Sequence, residues 1–209
     1  MREPTVFIVD DEPSVRRSLV RLVRAAGMDV ESFASAGEFL TAARRDGPGC
    51  IVLDVRMPGM SGPALQEELG KRGQRLPIIF LSGHGDVPTT ALAMKRGAVD
   101  FLTKPVDRDD LLAAIRLSLA RDAENRARQA EHDAIADRVK TLTPREYEVM
   151  TYVITGMLNK QTAVELDISE ETVKIHRGRV MQKLGITSVA ELVRLCVKAD
   201  ILPAQPRHK

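Results

Sequence analysis

Acidic, hydroxyl and amino side chains stand at the ends of several apolar runs in the first half of the chain. Asp10 and Asp11 follow the run TVFIV, and Asp54 closes CIVLD. Ser82 closes PIIFLS, and Lys104 follows AVDFLT. A single Asp or Ser in such a place is a common turn residue. Together, however, these groups could hold a divalent cation and a phosphoryl group.

The chemistry follows from the charges. Carboxylates within a few ångströms of one another repel, and a hard cation relieves that repulsion. Mg²⁺ (or Mn²⁺) takes one or two carboxylates and keeps waters and phosphate oxygens as its other ligands. Lys104 and the Ser82 hydroxyl suit phosphate oxygens, where they would stabilise charge on a transferring phosphoryl group. Asp54 would then be the nucleophile that forms an acyl phosphate.

Positioning these groups requires a parallel sheet, and residues 5–119 show the alternation of strands and helices that builds one. We predict strands at 5–11, near DVESF, and at CIVLD, PIIFLS and AVDFLTK. Helices are predicted at 14–27, 36–45, 62–71, 89–96 and 109–119 from apolar residues at helical spacing. This order predicts an α/β, flavodoxin-like, doubly wound (βα)5 domain, in which ligands bind at the carboxyl ends of the strands.

A helical linker is predicted at 120–140, because this segment contains no Gly or Pro and is rich in helix formers. Its alanines recur with the spacing of a coiled-coil seam, at Ala120, Ala123, Ala127, Ala130 and Ala134. A solvated linker and a seam that pairs two chains both stay open.

Residues 141–200 show no strand pattern and predict an all-α domain of four short helices. TPRE (143–146) and SVAE (188–191) are capping boxes that open the first and last helices. Between them, two helices joined by a tight turn predict a helix-turn-helix at about 159–178. A generic helical hairpin packed on the first domain is the alternative.

The phase of the second of these helices favours the helix-turn-helix. Val173, Val180 and Leu184 can pack inward on one stripe, which leaves Lys174 and Ile175 facing outward. An exposed isoleucine suits a major groove, where it can meet a thymine methyl. The outward face also carries Glu171, Gly178 and Gln182, with the basic residues Arg177, Arg179 and Lys183 at its flanks.

Composition excludes several classes of protein. With 44% hydrophobic and 29% charged residues, the chain fits a soluble globular protein. No apolar stretch reaches the roughly 20 residues of a membrane span, and the first residues do not resemble a signal peptide. Cys50 and Cys196 stand in apolar surroundings without metal-like spacing, so free buried thiols in a reducing cytosol are expected.

The motifs VDDEP, LDVRMPGMSG, FLSGHGD and DFLTKP, in this order, resemble the receiver domain of two-component response regulators. The segment GHGDVPTTALAMKRGAVDFLTKP is especially similar to the FixJ branch. In the second half, LTPRE, NKQTAVELDIS, TVKIHR and VMQKLGI resemble the LuxR-type output domain of the NarL/FixJ family. The two resemblances cover about 5–119 as a receiver domain and 141–200 as a DNA-binding domain.

The receiver resemblance implies a role for each matching residue. Asp54 is expected to be the phosphoacceptor, and Asp10, Asp11, Asp54 and the main-chain carbonyl of Arg56 to hold the metal. Ser82 and Lys104 are expected to contact the phosphate, with a cis bond from Lys104 to Pro105. Phe101 matches the switch aromatic, although a plain core phenylalanine is an equal alternative. His84 is interpreted as a polar loop residue.

The LuxR-type resemblance implies contacts to double-stranded DNA. The family places Lys174, Ile175 and the position of Gly178 against bases, but Gly178 has no side chain with which to read one. Contacts to the DNA backbone are expected from Lys160, Thr172, His176, Arg177 and Lys183. The last helix, at about 188–199, commonly serves dimerisation.

We therefore expect a cytoplasmic, phosphorylation-dependent transcriptional regulator that acts as an activator. A sensor histidine kinase would phosphorylate Asp54, and the chain would dimerise, bind promoter DNA and meet RNA polymerase, without a membrane partner. It would not be an enzyme beyond accepting its own phosphate and slowly losing it. One alternative is an aspartyl-phosphate phosphohydrolase of the haloacid-dehalogenase kind. That chemistry requires a second acid two residues after the nucleophile, where this chain has Arg56. A regulator with an RNA- or protein-binding output is the other.

Overall fold

The structure, a computed structural model, describes residues 3–42, 47–74, 76–83 and 87–205, without the side chains of 87–89. The chain divides into two compact units, Met1–Arg126 and Ala127–Lys209, and each is described by itself.

The first unit is built on a parallel sheet with the strand order β2-β1-β3-β4-β5. The strands are β1 (Thr5–Val9), β2 (Asp29–Phe33), β3 (Gly49–Asp54), β4 (Ile78–Ser82) and β5 (Asp100–Thr103). The helices are α1 (Pro13–Ala25), α2 (Ala36–Thr41), α3 (Gly62–Lys71), α4 (Val87–Lys95) and α5 (Arg108–Val139). The predicted flavodoxin-like (βα)5 fold is confirmed.

The central strands are buried along their whole length because both faces of the sheet are covered. Every residue of β1, β3 and β4 is buried, which is the pattern of a parallel sheet between two layers of helices. Alternate side chains enter different cores. Phe7 and Val9 belong to the core on one face, and Val6 and Ile8 belong to the core on the other.

Three helices of the first unit begin or end at least two residues from their predicted positions. Helix α1 ends at Ala25, two residues before its predicted end at 27. Helix α2 ends at Thr41, because the backbone of Ala42 is extended, with φ −63° and ψ 138°. The rest of its predicted range, residues 43–46, lies outside the described residues. Helix α4 begins at Val87, two residues before its predicted start.

Helix α5 is a single helix from Arg108 to Val139, and the division between the two units falls inside it. It covers the predicted final receiver helix and nearly all of the predicted linker, whose five seam alanines are exposed. Near its middle, buried Asp122 accepts hydrogen bonds from the backbone N–H of Gly49 at 2.9 Å and from Nε of Arg126 at 2.7 Å. The proposed domain boundaries themselves stay predictions.

The second unit contains the four predicted helices, which follow the last turns of α5. These are α6 (Pro144–Val153), α7 (Asn159–Leu166), α8 (Glu170–Leu184) and α9 (Val189–Lys198). Thr143 and Glu146 form the predicted capping box of α6. The core is aliphatic, with Met150, Val173, Val180, Leu184 and Leu192 at its centre.

Both cysteines are free and buried, as predicted. Burial raises the pKa of the Cys50 thiol to about 12 and that of Cys196 to about 11. Neither thiol is therefore activated as a nucleophile at neutral pH.

Candidate functional site

The carboxyl ends of β1 and β3 bring three carboxylates together. Asp10 and Asp11 directly follow β1, and Asp54 is the last residue of β3. One ligand oxygen from each of Asp10, Asp11 and Asp54 lies within 4.8 Å of the other two. Asp10 and Asp54 are buried, whereas Asp11 is exposed. The predicted acidic cluster is therefore present, and it is exposed to solvent at Asp11.

Lys104, directly after β5, joins two of these carboxylates. Its Nζ lies 2.7 Å from Oδ2 of Asp10 and 3.0 Å from Oδ1 of Asp54. Burial would lower the pKa of Lys104, but the hydrogen bonds and charges of the two carboxylates raise it overall. The lysine thus stays charged and offsets the repulsion between the acids.

The pKa of Asp54 is raised above its ordinary value, chiefly because the carboxyl is buried. The hydrogen bond and the charge of Lys104 act in the opposite direction, while Asp10 and Asp11 add repulsion that raises the pKa further. Asp54 is thus a buried carboxylate whose ionised form depends on a neighbouring cation.

Asp10 is fixed by its own loop as well as by Lys104. Its Oδ1 accepts a hydrogen bond from the backbone N–H of Glu12 at 2.9 Å. The Arg16 guanidinium donates to the main-chain carbonyl of Asp10 at 2.6 Å. The contribution of Arg16 was missed from the sequence, where it reads as one of several arginines on an amphipathic helix.

The loop after β3 turns over the end of the strand through a close backbone contact at Gly62. The N–H of Gly62 donates to the carbonyl of Val55 at 3.0 Å. A Cβ at Gly62 would collide with the carbonyl oxygen of Asp54 and approach Cε1 of Phe80 to 3.0 Å. The sequence predicts that a helix begins at Gly62, but the need for glycine at this position comes from the contact with Asp54. Arg56 lies in the loop with an exposed side chain.

The two remaining receiver positions lie on neighbouring strands. Ser82 ends β4 and is 2% exposed, and its carbonyl accepts a hydrogen bond from the backbone N–H of Lys104 at 2.7 Å. The predicted cis bond between Lys104 and Pro105 is present. Phe101 is partly buried on β5, with its ring centroid 6.1 Å from that of Phe80. His84 lies outside the described residues.

In the second unit, α7 and α8 are joined by a three-residue turn at 167–169. Asp167 ends α7 in the left-handed region, with φ 52° and ψ 51°. Ser169 caps α8 by accepting a hydrogen bond from the N–H of Thr172 at 3.1 Å. The predicted inward stripe of α8 is confirmed, because Val173, Val180 and Leu184 are all buried.

The outward face of α8 carries a positive charge beside an exposed apolar side chain. Lys174 is exposed, and Ile175 is 48% exposed although it is an isoleucine in a folded helix. Gly178 is exposed one turn further along. Lys160 is exposed at the start of α7, and Thr172 and His176 are half-buried.

Two of the predicted DNA contacts also bind within their own unit. Arg177 donates to Oδ1 of Asn159 at 2.9 Å, which ties α8 to the start of α7. The Nζ of Lys183 lies 2.6 Å from Oε2 of buried Glu146 and 3.0 Å from the carbonyl of Thr141. The pKa of Glu146 falls to about 2, because Lys183 and the N–H of Thr143 donate to it. The DNA contacts of Arg177 and Lys183 stay predictions.

Within the described residues, no helix is both long enough and apolar enough to cross a membrane.

Family models match both halves of the chain. The model described as the response regulator receiver domain matches residues 6–116. The model described as bacterial regulatory proteins of the luxR family matches residues 140–196. The two matches correspond to the sheet unit with its acidic cluster and to the four-helix unit.

Similar proteins align along nearly the whole chain. The response regulator protein TodT of Pseudomonas putida is 45% identical over 194 residues, which are 93% of this chain and 86% of TodT. The transcriptional regulatory protein FixJ of Bradyrhizobium diazoefficiens is 43% identical over 198 residues, or 94% of this chain and 96% of FixJ.

Two solved structures are also similar to this chain along nearly its whole length. The response regulator StyR is 48% identical, with a TM-score of 0.81 over 94% of this chain and 100% of the StyR chain. Full-length FixJ from B. japonicum is 42% identical, with a TM-score of 0.56 over 95% of this chain and 98% of the FixJ chain.

Proposed function

The chain belongs to the response regulators that join a receiver domain to a LuxR-type DNA-binding domain, and we propose that phosphorylation of Asp54 controls its binding to promoter DNA. The observation that carries this proposal is the position of the Lys104 ammonium, between the carboxylates of Asp10 and Asp54. A buried carboxylate beside a fixed cation can accept a phosphoryl group, because the cation stabilises the charge on the phosphoryl oxygens.

In the proposed reaction, a histidine kinase supplies the phosphoryl group from a phosphohistidine. An oxygen of Asp54 forms the new O–P bond while the P–N bond to the kinase histidine breaks. The imidazole leaves with the bonding electrons and is protonated on the kinase. Lys104 supports the ionised form of Asp54 before transfer and lies close enough to Asp54 to contact the new phosphoryl oxygens.

The carboxylate cluster fits a hard cation. Asp10, Asp11 and Asp54 offer three oxygen ligands close together, and the main-chain carbonyl of Arg56 would be a fourth. Oxygen ligands of this kind suit Mg²⁺ (or Mn²⁺). When bound, the cation would neutralise charge on the transferring phosphoryl group.

The acyl phosphate should persist long enough to act as a signal. A turnover phosphohydrolase needs an acid–base group near the nucleophile, and the residue two positions after Asp54 is Arg56, with its side chain exposed. We therefore propose slow autodephosphorylation, which the transcription-regulator relatives also favour over the phosphohydrolase alternative.

The added phosphate would change the surface of the receiver domain. Ser82 and Lys104 would move toward the phosphoryl oxygens, and the partly buried Phe101 would follow. Exposed Leu92, Met94 and Leu117 lie on α4 and α5 and would serve a dimer interface made with β5. Shifting the equilibrium between inactive and active conformations from 1:99 to 99:1 needs about 5.5 kcal/mol. Dimerisation and DNA binding would therefore contribute to this free energy together with phosphorylation.

The second unit would then bind double-stranded promoter DNA as a dimer. Lys174 and Ile175 would meet base edges in the major groove, while Lys160, Thr172, His176, Arg177 and Lys183 would contact the DNA backbone. Paired half-sites about one helical turn apart would fit the dimer. As an activator, the bound dimer would contact RNA polymerase.

Intact-mass measurement after incubation with Mg²⁺ and acetyl phosphate tests the phosphoacceptor. The wild-type chain should gain one phosphoryl mass, and Asp54→Ala should gain none. Asp29→Asn is the matched control, because Asp29 is an exposed carboxylate on β2. Full labelling of the Asp54→Ala chain would refute the proposal.

Replacing thymine by uracil in a selected DNA duplex tests the groove model, because uracil lacks the 5-methyl group. The wild-type chain should bind the uracil duplex several-fold more weakly at the position that Ile175 reads. Ile175→Ala should bind the two duplexes equally, since its methyl contact is gone. An unchanged preference for thymine in Ile175→Ala would contradict the contact.

A further inference from the structure

Gly178 is an unusual residue in its helix. It lies near the middle of the 15-residue helix α8 and is exposed. The other glycines in described helices, Gly37, Gly62 and Gly70, all lie within the first or last turn of theirs. Gly178 is thus the only glycine deep inside a helix of the described residues.

The backbone conformation does not require glycine there. The φ angle of Gly178 is not positive, unlike those of Gly156 and Gly185, which follow the ends of helices. Any L-amino acid except proline can adopt the helical conformation of this position.

Packing does not require glycine either. Apart from the neighbouring residues and backbone of its own helix, no atom of the described residues would lie within 4 Å of a Cβ at Gly178. Gly62 is the opposite case, because a Cβ there collides with the backbone of Asp54. The described part of the chain therefore leaves room for a side chain at position 178.

A glycine inside a helix is costly, since alanine at such a position favours the helix by roughly fivefold in the folding equilibrium constant. A residue that weakens its helix without an internal reason indicates an external one. Glycine is the default residue where a backbone must approach a ligand closely. The face concerned is the one that carries exposed Lys174 and Ile175, one turn earlier.

We infer that Gly178 is the point at which the backbone of α8 touches the base edges of the major groove, and that its missing side chain sets the depth of the helix in the DNA. This inference rests on the proposed DNA-binding function and deepens it. With no Cβ at 178, the helix can lie closer to the groove floor, so that Ile175 reaches a thymine methyl. The base pair facing Gly178 is then selected by shape and contact, without a side-chain hydrogen bond.

The test compares Gly178→Ala and Gly178→Leu with the wild-type full-length chain on a DNA duplex enriched by in vitro selection with that wild-type chain. Hydrogen exchange reports on the helix, and fluorescence anisotropy reports on binding. Gly178→Ala should slow exchange of the α8 amides several-fold, because alanine stabilises the helix. The same variant should bind the duplex roughly tenfold more weakly, and Gly178→Leu more weakly still.

Gly70→Ala is the matched control, because Gly70 is also helical, exposed and free of contacts within 4 Å. It should leave DNA binding unchanged. If Gly178→Ala binds as tightly as the wild type, the inference is overturned. If Lys174→Ala also binds as tightly as the wild type, the groove model itself fails, so the two failures are distinguishable.

Discussion

The ammonium nitrogen of Lys104 lies 3.0 Å from Oδ1 of Asp54, although the two residues are 50 positions apart in the chain. Asp54 ends β3 and Lys104 follows β5, with β4 between these strands. The same lysine also contacts Asp10 at 2.7 Å. Lys104 is therefore the cation that allows the buried acids of β1 and β3 to coexist.

Replacing this lysine should slow phosphorylation. In Lys104→Met, Asp54 loses its neighbouring cation and the phosphoryl oxygens lose a fixed donor. We expect the rate of labelling by acetyl phosphate to fall roughly 100-fold, as when one fixed donor is removed from a charged transition state. Rapid-quench mass measurement gives the rate, and Lys71→Met, at an exposed lysine of α3, is the control. A rate within a factor of two of wild type would contradict the assigned role.

Magnesium should stabilise the fold through the carboxylate cluster. A ligand that binds only the native state at 100 times its dissociation constant adds about 2.7 kcal/mol to the free energy of unfolding. Urea titrations with and without Mg²⁺ should show this gain in the wild type and in Asp29→Asn. Asp11→Asn removes one ligand and should lose most of the gain, so an equal gain in that variant would exclude Asp11 as a ligand.

The pair of Lys183 and Glu146 should contribute to the stability of the second unit in a pH-dependent way. The pKa of Glu146 is lowered from 4.5 to about 2, so its contribution is fully present above pH 4.5 and is lost as the pH falls toward 2. Lys183→Met should reduce the free energy of unfolding by roughly 1 to 3 kcal/mol at pH 7. This deficit should shrink in acid, and urea titrations across the pH range would measure it.

Lys140→Met provides the comparison, because Lys140 pairs with Asp137 on the surface, where both side chains are at least 73% exposed. Lys140→Met should therefore lower the free energy of unfolding much less than Lys183→Met does. A similar effect of both variants would mean that the buried position of Glu146 adds nothing to its pair.

Replacing Lys174 should weaken DNA binding without changing the stability of the fold. Because Lys174 is exposed, Lys174→Ala should leave the free energy of unfolding within about 0.5 kcal/mol. The lost groove contact should weaken DNA binding by about 1 to 3 kcal/mol. Fluorescence anisotropy over a range of salt concentrations would measure this, with Lys140→Ala as the control. Destabilisation without loss of binding would point to a structural lysine.

The two glycines of α3, Gly62 and Gly70, should respond differently to replacement by alanine. Gly62→Ala places a Cβ against the carbonyl of Asp54 and should destabilise the first unit by roughly 1 to 3 kcal/mol. Gly70→Ala meets no neighbour within 4 Å and should be neutral or slightly stabilising. Thermal denaturation of both variants checks this, and equal melting temperatures would refute the close contact at Gly62.

Much of the fold and of the acidic cluster could be predicted from local pattern. Acids directly follow the apolar runs of β1 and β3, and strands that run parallel end at one edge of the sheet. The cluster of Asp10, Asp11 and Asp54 needed nothing beyond that rule. The buried stripe of α8 likewise followed from the 3.6-residue period of a helix.

The partners of individual side chains could not be predicted in this way. From the sequence, Lys183 is one more basic residue at the flank of α8, but in the structure its Nζ forms an ion pair with buried Glu146. Arg16 reads as part of an amphipathic helix, but it donates to the carbonyl of Asp10. The early end of α2 at Thr41 was also missed, because helix ends depend on local backbone geometry that composition does not specify.

The sequence alone determined which chemical groups stand at the strand ends and on the outward face of α8, because periodicity assigns each residue to a face. Only the tertiary structure decided which cation offsets which carboxylate, and which glycine has no room for a side chain. The reason is physical: periodicity acts over a few residues, whereas pairing and steric exclusion depend on atoms that folding brings together from distant parts of the chain.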